Sequence, residues 1–367
     1  MSSLRVTLTH VYAWPEVRRG AERYVHELGA SLQRKGHRVR IISSAPRAHR
    51  AEVLGVPVRY LKRRRVPRRY GRYSDQVAFG LQTLAAVGTK RCDVWHAVST
   101  SDAAAAAMTS RLRPGVRSIY TEAGLPVHWY RSSRPDHAIF QRVARDIDEF
   151  VCLSPEASRM LQEDYGRASH PIGAGVDLRR FAGDKPTRRT PVLLFPGSLS
   201  ERRKNLEMFL EAYDLLRQGG HDVDAWLVGP GDPVADLSAA ARRGLAAAGV
   251  VRTADSEEMP ELYRQATVTV LPSDHEVFGL VVVESQASGT PAVVLDNEHG
   301  PAQLVGPDTG VRSQRTAAAL AESCLTALDL AAKPATATRC REAASAYDWD
   351  SSITPQLLAL YEARSNT

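Results

Sequence analysis

The 367-residue chain predicts an α/β protein made of two Rossmann-like, doubly wound parallel sheets. Three observations carry that prediction. Strand-like apolar runs alternate with helix-like amphipathic segments from end to end. The length suits two domains, each large enough for its own core. A charged, proline-containing stretch without apolar periodicity, residues 182–191, divides the chain. The expected domains are residues 1–183 and 184–349.

The first half opens with a βαβ unit: the strand LRVTLTHV, the helix GAERYVHELGASLQRKG and the strand HRVRIISS. In that helix Tyr24, Leu28 and Leu32 recur at helical spacing with Val25 beside them, while Arg23, Glu27 and Arg34 lie off the stripe. DVWHAVS, an alanine-rich helix from Asp102 to Leu112, VRSIYTEAG, EFVCLSP and SHPIGAGVD follow. The pattern restarts with TPVLLFPGS and a helix from Leu206 to Gln218. Then come DAWLVGPGD, a helix from Leu237 to Ala248, GVVRT, ELYRQA, TVTVLPS, the helix opened by VVVESQAS, and PAVVLDN. Sheets of this kind place ligands at strand carboxyl ends and at switch points in strand order.

Composition narrows the class. Hydrophobic residues make up 43% and charged residues 24%, as in water-soluble globular proteins. No apolar run approaches the length needed to span a bilayer, and MSSLRVTLTHVY reads as a first strand rather than a signal peptide. Both features suit a cytoplasmic protein. Cys92, Cys152, Cys324 and Cys340 lack metal-ligand spacing and fit reduced, buried thiols. The net charge of +7 is uneven, the first half basic and the second mildly acidic. Lys62-Arg63-Arg64-Arg65, then Arg68, Arg69 and Arg72 with interleaved tyrosines, form the densest basic run. It suits an acidic acceptor or the inner face of an anionic membrane, or else a solvated loop. No nucleic-acid-binding module surrounds it. Asp222 and Asp224 precede a strand rather than end one, so they project away from a ligand face, and no metal site is expected.

The chemistry concentrates between Leu271 and Pro291, LPSDHEVFGLVVVESQASGTP. A buried strand runs into a tight loop, and a helix follows. Glycine at such a loop lets a ligand approach bare amides, and the helix N-terminus favours an anion. Glu276 and Glu284, eight positions apart, flank the turn Phe278-Gly279-Leu280. Carboxylates there serve hydroxyl groups rather than phosphate. Phosphate flanked by polyols describes a nucleotide sugar, with Glu276 on the sugar and Glu284 on the ribose.

This sentence of residues resembles the E-x7-E signature of retaining glycosyltransferases with the GT-B fold, closest to glycosyltransferase family 4. The resemblance implies two Rossmann-like domains facing across a cleft, an acceptor domain first and a nucleotide-sugar domain second. It also implies that residues 350–367 form a closing helix that returns to the first domain, with Trp349, Leu357, Leu358 and Leu360 as its apolar contacts. Val277, Phe278, Gly279 and Leu280 would lie on the donor, as would Gly229 in LVGPGD, Arg252 near the base, and the turn His299-Gly300.

In PGSLSERRKN the family pattern has an arginine after the glycine and a lysine six positions later, both on the diphosphate. Lys204 stands at that spacing, but Ser198 replaces the arginine. Either Arg202 or Arg203 substitutes, or fewer charges hold the leaving group. Arg19-Gly20-Ala21-Glu22 matches the family's G-G-A-E, with Gly20 as the catalytic-loop glycine and Arg19 near the acceptor. In DVWHAVS, His96 matches a usually structural histidine and Val98 replaces a sugar-side one. Further acceptor contacts fall on Ser99 and Glu122, with His96 beside them.

The resemblance thus implies a retaining transferase without metal or other cofactor. Its donor would be a nucleoside diphosphate sugar, UDP- or GDP-linked, and its acceptor a hydroxyl of a small molecule, lipid or glycan. Lys204, Glu276 and Gly20 are the expected catalytic residues. The alternatives are a non-catalytic paralogue or partner subunit that binds nucleotide sugar, and a GT-B phosphorylase or epimerase.

Overall fold

The predicted apolar runs become strands of two separate sheets in the computed structural model of the protein. Residues 3–363 are described, apart from 13, 15, 16, 18, 19, 68–73, 88–90, 126–132, 234, 235, 252–256 and 298. Arg19, Arg252 and the basic residues Arg68, Arg69 and Arg72 therefore lie outside the described residues. Two compact units result, Met1–Gly175 with Trp349–Thr367, and Val176–Asp348.

The first unit contains β1 (Arg5–Thr9), β2 (Arg38–Ala45), β3 (His49–Val53), β4 (Val56–Lys62), β5 (Val94–Ala97), β6 (Arg117–Glu122), β7 (Glu149–Cys152) and β8 (His170–Pro171). Its helices are α1 (Gly20–Arg34), α2 (Ser74–Val87), α3 (Thr100–Leu112), α4 (Arg134–Asp146) and α5 (Pro155–Tyr165). Strand order is β3-β4-β2-β1-β5-β6-β7-β8, parallel throughout except for the β3–β4 pair. The chain winds outward from β1 through β2 to β4, then restarts beside β1 at β5. That reversal is a switch point. The β3–β4 hairpin was not legible in HRAEV, which lacks apolar alternation. Its two-residue turn uses Leu54 (φ 51°) and Gly55 (φ 79°), the doubly left-handed geometry that matches strand twist. Exposed His49, Arg50 and Glu52 keep this edge strand from pairing further.

The second unit contains β9 (Val192–Pro196), β10 (Asp224–Val228), β11 (Gly249–Val251), β12 (Val268–Leu271), β13 (Ala292–Leu295) and β14 (Gly310–Ser313). They order β11-β10-β9-β12-β13-β14, all parallel. Here the switch point falls between β9 and β12. The helices are α6 (Leu178–Phe181), α7 (Leu206–Gln218), α8 (Ala239–Ala247), α9 (Met259–Gln265), α10 (Leu280–Ala287), α11 (Gly300–Gln303), α12 (Ala317–Ala331) and α13 (Thr336–Ser345). Phe195, Phe209, Tyr213, Leu227, Val270 and Leu320 join β9, β10 and β12 to α7 and α12 in one core cluster.

The passage between units falls at Gly175–Val176, ahead of the 182–191 stretch chosen from sequence. The reason is packing. Helix α6 sits on α9 and α10, with Phe181 and Tyr263 rings 6.2 Å apart. Lys185, taken for linker, donates its Nζ to the Ala266 carbonyl at 2.7 Å and to Thr290 Oγ1.

The tail rejoins the first unit through a π-helical turn, Trp349–Ile353, and α14 (Thr354–Glu362). Trp349 Nε1 donates to Glu27 Oε2 at 2.8 Å, and its ring meets Tyr24 edge-on at 5.2 Å. A Cβ at Gly175 would stand 2.2 Å from the Trp349 ring, so only glycine fits there. Glu27, expected off the buried face of α1, is buried because it holds both Trp349 and Arg23. Leu357 and Leu358 are buried as expected, while Leu360 is half-buried and Tyr361 takes its place.

Candidate active site

The strongest constellation lies in the second unit, on the loops that leave β9 and β12 on either side of the switch point. After β9, Gly197 lies close against the β10 loop. Gly197 N donates to the Val228 carbonyl at 2.8 Å, and Leu199 N to the Pro230 carbonyl at 2.9 Å. A Cβ on Gly229 would stand 1.7 Å from the Gly197 carbonyl oxygen, so that approach requires glycine. Ser198 reaches only its neighbour, Oγ to Ser200 Oγ at 3.2 Å, and brings no charge. The chain then makes a 3-10 turn, Arg202–Lys204, ended by left-handed Asn205 (φ 53°), before α7 begins. Asparagine tolerates this conformation better than most residues.

Asn205 ties the two loops together. Its Nδ2 donates to the Pro272 carbonyl at 2.8 Å and to Asp274 Oδ2 at 3.0 Å, and Asp274 N donates to the Arg203 carbonyl at 2.8 Å. Arg315 pairs with Asp274 from the end of β14. These links bring Lys204 to Glu276: Nζ donates to Oε1 at 2.7 Å, while Arg203 takes the other carboxylate oxygen. Lys204 is 8% exposed, its stem lying against Gly197. Asn205 and Asp274 were missed in the sequence; the left-handed-tolerant Asn at a loop–helix junction was the available signal.

Beyond Glu276 the loop closes on Gly279 (φ 91°), which caps α10. The first amides of an α-helix have no intrahelical acceptor, so Leu280 and Val281 offer donors to an anion. Gly300 N donates to the Glu276 carbonyl at 3.1 Å, and a Cβ at Gly300 would meet the Val277 carbonyl oxygen at 2.2 Å. The His299–Gly300 turn thus lies directly on the Val277–Phe278 segment, and the His275 and His299 rings are 5.2 Å apart. Ser273 Oγ, in the same loop, is buried without a hydrogen-bond partner among the described residues. Glu284 is 4% exposed and accepts from Tyr263 Oη at 2.9 Å. That tyrosine is a further residue the sequence did not single out.

In the first unit, Gly20 opens α1 and is exposed. His96 is fully buried, with Nδ1 at 2.6 Å from Tyr361 Oη and Nε2 at 2.7 Å from Thr121 Oγ1. This corrects its place among the acceptor contacts: both ring nitrogens serve the scaffold that docks α14. Ser99 Oγ accepts from Val11 N at 3.1 Å, and Glu122 accepts from Tyr120 Oη at 2.6 Å and from Gly124 N at 2.9 Å. At the end of β4, Arg63 lies over the Tyr12 ring at 5.3 Å and donates to the Ser44 carbonyl at 3.1 Å. Arg64 and Arg65 are exposed.

Burial lowers the pKa of His96 to about 3 and that of His26 to about 4, and raises the Asp102 carboxyl to about 7. The histidines are held neutral, so the unfolded chain binds more protons than the native one and stability falls as pH drops below about 6.5. Asp102 acts oppositely: its contribution is present at low pH and lost as pH rises through about 7. Asp102→Asn removes the opposing contribution. The variant should lose more melting temperature than wild type between pH 7 and 5; an equal or smaller loss would contradict the assignment.

The fold and this site define a glycosyltransferase of the GT-B type. The profile described as "Glycosyl transferases group 1" matches residues 190–329, and that described as "Glycosyltransferase Family 4" matches residues 18–180. Glycogen synthase of Mycobacterium tuberculosis is 29% identical over 377 residues, covering 93% of this chain and 90% of the relative. Sucrose-phosphate synthase from Thermosynechococcus elongatus superposes with a TM-score of 0.80 at 22% identity, covering 98% of both chains. The Anabaena protein HepE, solved in complex with UDP and glucose, superposes with a TM-score of 0.73 at 16% identity, covering 98% of this chain and 100% of its own. The chain belongs to the family 4, group 1 glycosyltransferases.

Proposed function

We propose that the protein is a retaining, metal-independent glycosyltransferase that takes its sugar from a nucleoside diphosphate donor. The observation that supports this reading best is the Lys204–Glu276 pair beside the N-terminus of α10 at the switch point. A diphosphate there meets the Lys204 ammonium and the Gly279 and Leu280 amides, which neutralise the departing charge without a metal. Glu276 accepts hydrogen bonds from the sugar hydroxyls, and Glu284 from the ribose. The sugar–phosphate bond breaks as the acceptor oxygen bonds the anomeric carbon on the same face. The acceptor proton passes to the leaving diphosphate.

Thermal unfolding with UDP-, GDP-, ADP- and dTDP-sugars tests the reading. A ligand at about 100 times its Kd adds about 2.7 kcal/mol of stability. No stabilisation by any of the four would sink it. Glu284→Gln removes the charge while leaving an acceptor for Tyr263. If Glu284 holds the ribose, nucleotide affinity falls roughly tenfold or more, as for a lost hydrogen bond to a charged group. Unchanged affinity in calorimetry would remove that role.

The acceptor presents a hydroxyl to this donor. Lys62 and Arg63–Arg65 lie at the carboxyl end of the first unit's sheet and would favour an anionic acceptor or an anionic membrane surface. Among the described residues no helix is long and apolar enough to cross a membrane. Peripheral attachment at the cytoplasmic face would then rest on charge, at about 1 kcal/mol per basic residue near the surface. Co-sedimentation with phosphatidylserine vesicles should fall when Arg64 and Arg65 are both replaced by alanine. Equal binding by that variant would leave the run no membrane role.

A further inference from the structure

We infer that Arg203 is the second diphosphate cation of this enzyme, in place of the arginine that the family pattern puts at position 198. The inference rests on the donor site proposed above and completes it. Ser198 follows Gly197 directly and is neutral, its hydroxyl engaged with Ser200. A loop built to hold two negative phosphates therefore lacks one of its two charges. The chain carries three consecutive basic residues, Arg202-Arg203-Lys204, in a single 3-10 turn. With three residues per turn, consecutive side chains leave the axis about 120° apart, so neighbours do not share a partner by default. Arg203 and Lys204 nonetheless close on the two oxygens of one carboxylate, that of Glu276.

That convergence is held from the backbone. Asp274 N takes the Arg203 carbonyl, and Asn205 ends the turn while bonding the Pro272 carbonyl of the facing loop. Arg203 is also ion-paired to Glu201 at 2.9 Å, which steadies the guanidinium without enclosing it, since its side chain is 46% exposed. Arg202 is exposed, and it joins this turn through its carbonyl, which accepts from Asn205 N at 3.0 Å. In this arrangement Glu276 occupies the position of an anion between two cations. A diphosphate brings more charge than one carboxylate and offers oxygens to both. It takes over Arg203 and Lys204 and releases Glu276 to the sugar hydroxyls. Arginine suits the exchange because its planar fork binds phosphate oxygens in pairs.

The test is calorimetric titration with UDP, GDP, ADP and dTDP, using whichever binds the wild-type full chain and its matching nucleoside as control. Arg203→Ala should weaken the diphosphate by roughly ten- to a hundredfold, the range for a lost charged hydrogen bond, and leave the nucleoside within about twofold. Arg202→Ala should change neither. The double variant Ser198→Arg with Arg203→Ala should recover most of the loss, which no purely structural role for Arg203 predicts. Wild-type affinity in Arg203→Ala, a larger loss in Arg202→Ala, or no recovery in the double variant would each overturn the assignment. These failures differ from that of the donor site itself, in which the wild-type chain would bind none of the four diphosphates.

Discussion

Lys204→Ala is expected to raise the activation free energy of turnover by about 2–4 kcal/mol, a loss of roughly 30- to 900-fold, as for a lost donor at a developing charge. The size follows from burial. Lys204 is 8% exposed, so its ammonium acts where water screens it little, and its stem is held against Gly197. Stability should change less than activity, because Glu276 keeps Arg203 as partner. The measurement is release of nucleoside diphosphate at saturating donor and acceptor. Near-normal turnover would show that the diphosphate lies elsewhere.

Trp349→Ala should have the largest effect on stability, about 3–5 kcal/mol, typical of deleting a fully buried aromatic side chain. Trp349 is 1% exposed, packs on Gly175 and Tyr24, and donates to Glu27. Its loss leaves a void beside a buried carboxylate. It also loosens the return of the tail to the first unit. Denaturant unfolding of the variant reads the effect directly. A loss under about 1 kcal/mol would mean that the tail contributes little to that unit's core.

These predictions differ in how much of each could be read before folding. The E-x7-E segment was legible because its parts are neighbours: strand, loop, glycine and helix start follow each other between Leu271 and Ala287. Local geometry decides where the carboxylates and amides go. The partner of Glu276 was not legible as a contact. Lys204 stands 72 positions away and reaches it only because β9 and β12 are adjacent in the sheet. Ser198 was visible as a missing charge, but which arginine reaches Glu276 depends on the Arg202–Lys204 turn and its tie to Asp274.

The same distinction explains the corrections. His96 read as a usually structural histidine that also stands beside the acceptor contacts, because its neighbours in sequence match such a segment. Folding sets it between Thr121 and Tyr361, the latter 265 positions away, and leaves it no free nitrogen. Residues 176–185 read as the end of one domain and a linker. Phe181 and Lys185 instead find their partners, Tyr263, Ala266 and Thr290, in the second unit. The β3–β4 hairpin escaped because its edge strand faces water on most residues and carries no apolar period.

By itself the amino-acid sequence determined the alternation of strands and helices, the family, and the loop–helix segment that holds two carboxylates and a glycine turn. Each is local, written in the period of apolar residues and in backbone freedom at single positions. Tertiary structure alone decided strand order, the unit boundary, the burial of His96 and the joining of Arg203 and Lys204 on Glu276. Those depend on which distant segments share a sheet edge or a core, and free energy of that kind comes from packing and charge across space rather than along the chain.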